Sequence, residues 1–64
     1  MKINGADFSL NTSLTLKALL LEQGYNPDHV AVEINGAVIP KTAYEETFLS
    51  DDDVIEVVRF VGGG

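Results

Sequence analysis

Ten acidic side chains against four basic ones give this 64-residue chain a formal charge of -6, poor material for nucleic-acid binding, which needs clustered Lys and Arg. There is no cysteine, so neither disulfides nor a thiolate metal site can staple the fold, and the 45% apolar content must supply a core by packing alone. No apolar run approaches the about 18–20 residues of a membrane span, and no basic, apolar leader opens the chain; the expectation is one small cytoplasmic domain.

Met1-Lys2-Ile3 and Ala6 to Leu10 alternate apolar and polar residues, the period of a half-buried strand. Asn4-Gly5 between them suits a two-residue turn in which both positions need positive φ. The opening therefore reads as a β-hairpin with Ile3, Phe8 and Leu10 facing inward. Thr15 then suits an N-cap, and Leu14 and Leu19 stand at the spacing of a hydrophobic staple. Leu16, Leu19 and Leu20 share one helical face, while Leu21 points away from it. Gly24 is placed to end the helix and Pro27 to stop it resuming, which predicts a helix over about 16–23.

Val30 to Ile34 returns to alternation, making Val30, Val32 and Ile34 core candidates. A second Asn-Gly, at 35–36, turns the chain into Val38-Ile39, and Pro40 closes that strand. Residues 41–46 read as one irregular helical turn with Tyr44 packing back on the body. After the acidic turn Asp51-Asp52-Asp53, the longest strand is expected over 54–61. With Ile55 and Val57 on the core side, Glu56, Val58 and Phe60 face the other way. Exposed apolar residues there offer a docking patch, unless a bulge or loop covers them. The expected core is Ile3, Phe8, Leu10, Leu16, Leu19, Leu20, Val32, Ile34, Leu49, Ile55 and Val57.

No constellation for catalysis is visible. His29, the single histidine, lies in a polar loop without a positioned partner, and no Ser or Thr has an arranged base. Three adjacent aspartates lack the spacing of a Ca²⁺ or Mg²⁺ loop and suit a turn better, so no metal is expected. Gly62-Gly63-Gly64 is followed by no helix that would make it a phosphate loop. These glycines read either as a frayed end, as a remnant of cloning, or as a thin thread that carries the Gly64 carboxylate into a partner's active site. In the last case ATP would activate the carboxylate as an acyl-adenylate, and a sulfur nucleophile would convert it to a thiocarboxylate.

Several stretches, in this order and spacing, decide among these readings. They are residues 15–20, Val30 to Gly36, Val38-Ile39-Pro40-Lys41, Leu49 to Glu56, and Phe60-Val61-Gly62-Gly63-Gly64. Together they resemble the ubiquitin-like β-grasp proteins, and most closely the ThiS family of sulfur carriers in thiamin biosynthesis. The resemblance covers essentially the whole chain. It implies an α+β fold: a mixed sheet with one packed helix, first and last strands parallel and adjacent at its centre, in a domain over 1–61 with a flexible tail over 62–64. It implies that Gly64 carries the sulfur, that Gly62 and Gly63 complete the tail, and that Val58, Phe60 and Val61 dock the partner. The implied partners are a ThiF-like adenylating enzyme that uses ATP, the thiazole synthase ThiG and a sulfur donor system. The chain itself would bind no cofactor and be a monomer when free, a protein substrate rather than an enzyme.

Two features depart from the family pattern. Asp52 stands where the acidic turn often has Gly, which questions the turn's backbone, and the tail has three glycines where two are common. The rivals are a sulfur carrier of the molybdopterin or cysteine type, and a ubiquitin-like modifier or non-covalent interaction module. The molybdopterin type often has a proline before its Gly-Gly, absent here.

Overall fold

The computed structural model of the chain describes residues 1–60. Its strands are β1 (Lys2–Ile3), β2 (Ala6–Asp7), β3 (Val30–Ile34), β4 (Ala37–Ile39) and β5 (Val54–Arg59), with one helix, α1 (Leu16–Glu22). Single 3-10 turns occupy Pro27–His29 and Lys41–Ala43. The five strands form one sheet in the order β2-β1-β5-β3-β4. β5 lies in the middle, parallel to β1 (Lys2 opposite Val54) and antiparallel to β3 (Val32 opposite Val57). This is the mixed sheet and central parallel pair expected of a β-grasp.

Both hairpins turn at Asn-Gly for the anticipated reason. Asn4 and Asn35 have φ of 50° and 52°, and the following glycines 82° and 86°, so every turn position is left-handed, where Gly and Asn are the tolerant residues. Asp52 is absent from the positive-φ residues, so the acidic turn needs no glycine and the departure at that position is harmless to the backbone.

Helix α1 begins where Thr15 Oγ1 accepts the Ala18 N–H at 3.2 Å. It ends in a Schellman arrangement: Tyr25 N–H donates to Leu20 O at 2.9 Å and Gly24 N–H to Leu21 O at 3.1 Å. Gln23 is the C-cap, so the helix is one residue shorter than anticipated. Its buried stripe, Leu16, Leu19 and Leu20, packs with Val30, Val32, Tyr44, Leu49, Ile55 and Val57. Leu21 points outward, as its position on the helix required.

The core differs from expectation at its edges. Ile3, Phe8, Leu10 and Ile34 are only partly buried and rim the cluster, because a seven-residue helix is about 10 Å long and covers only the middle of the sheet. Val30 and Tyr44 take central places instead. The Tyr44 hydroxyl donates to Val30 O at 3.2 Å, and burial pushes its pKa up. Strand β2 is also shorter than the alternation to Leu10 suggested. Phe8 N–H still donates to Met1 O, but the Leu10 N–H turns to Asp51 Oδ1, drawing the chain out of the ladder.

Candidate functional site

The end of β5 is where the sequence places docking residues and where the chain leads towards its glycines. Strand alternation decides what each side chain does. Ile55 and Val57 enter the core, while Val54, Val58 and Phe60 face out at 46%, 62% and 50% exposure. The uncovered alternative therefore holds for Val58 and Phe60. The regular strand stops at Arg59, two residues before the expected end, though Phe60 N–H continues the ladder by donating to His29 O at 3.1 Å. Val61, Gly62, Gly63 and Gly64 lie outside the described residues.

Asn4, Arg59 and Tyr25, whose roles here the sequence reading did not foresee, fix this end of the strand. β1 ends at Ile3, so from Val57 onward β5 has no strand on that side. Asn4 fills the gap: its Oδ1 accepts the Val57 N–H at 2.7 Å and its Nδ2 donates to Val57 O at 3.2 Å, a side-chain copy of a ladder pair. On the helix side the Arg59 guanidinium stacks 4.4 Å from the centre of the Tyr25 ring. Asn35 repeats the device at the start of β5, where its Oδ1 accepts the Val54 N–H at 2.9 Å and its Nδ2 donates to Asp53 Oδ1 at 3.0 Å. Both turn asparagines thus clamp the central strand. An Asn before Gly signals the turn, but nothing local in the sequence says which strand lies within reach of its amide.

The outer face of the sheet extends the patch beyond β5. The cross-strand pairing sets Val58 opposite Ala31, Glu56 opposite Glu33, and Glu33 in turn opposite Val38, all exposed. Val38 is 71% exposed, so apolar side chains lie on three sides of the two glutamates. At the far edge Lys2 and Asp7 pair at 2.8 Å, and the lysine holds the Asp7 carboxyl below the usual carboxylate range.

The acidic turn works as a clasp. Asp51 Oδ1 accepts the Leu10 N–H at 3.1 Å and meets the N-terminal ammonium at 3.4 Å, and these two, in that order, lower its pKa. Asp53 Oδ2 accepts the Ser50 N–H at 2.8 Å. His29 is exposed at the end of a 3-10 turn, and its main-chain carbonyl rather than its ring contributes to the site. No helix among the described residues is long and apolar enough to cross a membrane.

A chain with this sheet and this strand end matches known proteins along its whole length. The model of the ThiS family matches residues 1–64. The sulfur carrier protein ThiS of Bacillus subtilis is 40% identical over 65 residues, covering 100% of this chain and 98% of that protein. A thiazole synthase of Magnetococcus marinus is 44% identical over 62 residues, 97% of this chain but 19% of its own length. The crystal structure of the thiamine biosynthesis protein ThiS from Geobacter metallireducens superposes with a TM-score of 0.79 at 32% identity, covering 98% of this chain and 96% of that one. The sheet is the ubiquitin-like β-grasp, and the chain belongs to the ThiS family, the sulfur carriers of thiamin biosynthesis.

Proposed function

We propose that the chain carries sulfur as a thiocarboxylate on Gly64, and that Val58, Phe60 and Val61 form the apolar ground on which its partners dock. The observation that carries the reading is the pair Val58, on the central strand, and Phe60, just past its end, both exposed shortly before Gly62-Gly63-Gly64. A partner that covers those side chains takes the following residues into its own site. The four residues beyond Phe60 reach about 13–14 Å when extended.

The chemistry needs three parties. A Gly64 carboxylate oxygen attacks the α-phosphorus of ATP on a ThiF-like adenylating enzyme, and pyrophosphate leaves. A sulfide-level sulfur nucleophile from a donor system then attacks the acyl carbon, AMP leaves, and the thiocarboxylate remains. A thiazole synthase takes that sulfur. The partners supply the catalysis, and this chain supplies the reacting group. Thiazole synthases that contain a stretch similar to this chain support the last step, since fusion holds carrier and acceptor at high effective concentration. A cytoplasmic setting, with ATP and reduced sulfur at hand, fits a chain without cysteines.

Intact mass after incubation with a ThiF-like enzyme, ATP and a sulfur source tests the reading. The expected result is the gain of one sulfur for one oxygen, localised to Gly64 by fragmentation and lost again when thiazole synthase and its substrates are added. No gain with an enzyme active on a control carrier sinks the proposal. Attachment to lysines of other proteins would make the chain a modifier instead.

A further inference from the structure

The sheet's outer face has a feature that apolar docking alone leaves unexplained. Glu33 and Glu56 stand directly opposite one another on β3 and β5, both exposed. Like charges in that position repel and cost sheet stability. Among the described residues no cation pairs with either of them, and the four Lys and Arg side chains are engaged elsewhere. Lys2 pairs with Asp7, Lys17 with Glu45 and Lys41 with Asp28, and Arg59 lies over Tyr25. The pair is ringed by Val38, Val54, Val58 and Ala31, so a partner that covers the apolar side chains must also cover two carboxylates.

We propose that this face selects the adenylating enzyme by taking an arginine or lysine side chain of that enzyme against the Glu33–Glu56 pair, inside the apolar patch. The inference rests on the proposed carrier chemistry, and it names what the docking surface of one partner must contain. Three arguments choose that occupant. A buried carboxylate pair is tolerated only with a counter-charge, so the covering surface is basic at this point. A site that holds the triphosphate of ATP is built with Lys and Arg, so the enzyme that takes up Gly64 is a basic partner, and the pair lies on the strand that leads to Gly64. A second copy of the chain is the wrong occupant, because face-to-face contact would bring four carboxylates together between two bodies that each carry -6.

The test measures Kd for the purified ThiF-like enzyme at low and high salt. In E33Q/E56Q the Kd should rise about tenfold or more at low salt, with a flatter salt dependence. The control E22Q/E46Q removes the same charge from exposed residues outside the sheet and should change Kd by less than about twofold. Equal losses in both variants would reduce the effect to net charge, and an unchanged Kd in E33Q/E56Q would remove it; either overturns the inference. A loss confined to binding of thiazole synthase, or a wild-type dimer closed through this face, overturns it as well. Should the double variant fail to fold, E33Q and E56Q singly are expected to raise Kd several-fold. Thiocarboxylate formation by the wild type is read separately by mass: tight, salt-sensitive binding without conversion would refute the carrier chemistry and leave the docking inference standing.

Discussion

Removing the Asn4 side chain should cost far more than its place in an exposed turn suggests. Asn4→Ala deletes two hydrogen bonds to Val57, of 2.7 and 3.2 Å, and leaves a central-strand N–H and C=O without their partner. At about 0.5–1.5 kcal/mol each the bonds contribute about 1–3 kcal/mol. Ala at a φ of 50° adds about 1–2 kcal/mol of left-handed strain, for a total of about 2–5 kcal/mol. A 64-residue domain at about 0.05–0.15 kcal/mol per residue holds only about 3–10 kcal/mol in all. Asn4→Gly separates the two causes, since it accepts the turn but loses both bonds. Urea denaturation followed by circular dichroism should place it about 1–3 kcal/mol below the wild type. Hydrogen exchange should show the Val57 amide losing protection in both variants and keeping much of it in Asn4→Asp, which retains an acceptor. If Asn4→Gly unfolded at the wild-type midpoint with Val57 still protected, the clamp would be decorative and the reasoning wrong.

Other outcomes are equally definite. Leu19→Ala, at a position 1% exposed, should lose about 2–5 kcal/mol in the same denaturation assay. Thr15→Ala should lose about 0.5–2 kcal/mol by uncapping α1, with Thr15→Ser close to wild type. Asp51 and Asp7 have folded pKa values below their ordinary ones, so their contribution is present above the usual carboxylate range and is lost as pH falls through the folded values. For Tyr44 the folded pKa is raised, so its contribution is present below the ordinary tyrosine range and is lost as pH rises through the folded value. Thermal melts across pH should therefore fall at both ends, and Asp51→Asn should flatten the acid limb. Deleting Gly64 should leave the melt unchanged and abolish the mass gain.

Much of this architecture is legible in local chemistry. The Asn-Gly pairs announce both hairpins, Thr15 and Gly24 bracket the helix, and the alternation in residues 54–58 sorts core from surface. What escapes is any interaction between a turn and a distant strand. Asn4 is coded by the needs of its own backbone, yet its amide serves Val57, and Asp51 reads as a turn former while holding Leu10 and the N-terminus. Alternation also overstates β2, because a strand extends only as far as its neighbour offers a ladder. For the candidate site, the sequence predicts which β5 side chains face out, but the Glu33–Glu56 repulsion needs the register, and register across separate hairpins is a tertiary fact.

The central place of β5 has a consequence for the chain as it is made. The ribosome delivers the outer strands first and the middle one last, so neither hairpin has its inner neighbour until residues 54–59 emerge. Ile55 and Val57 complete the core, and Lys2 waits for Val54 across nearly the whole sequence. A product broken off before β5 lacks the strand that joins the halves, and it should remain open to proteases. Folding thus acts as an inspection for synthesis as far as β5, the strand next to the glycines: a chain that stops short of it lacks the middle of its sheet, whereas a chain that lacks Gly64 alone still folds.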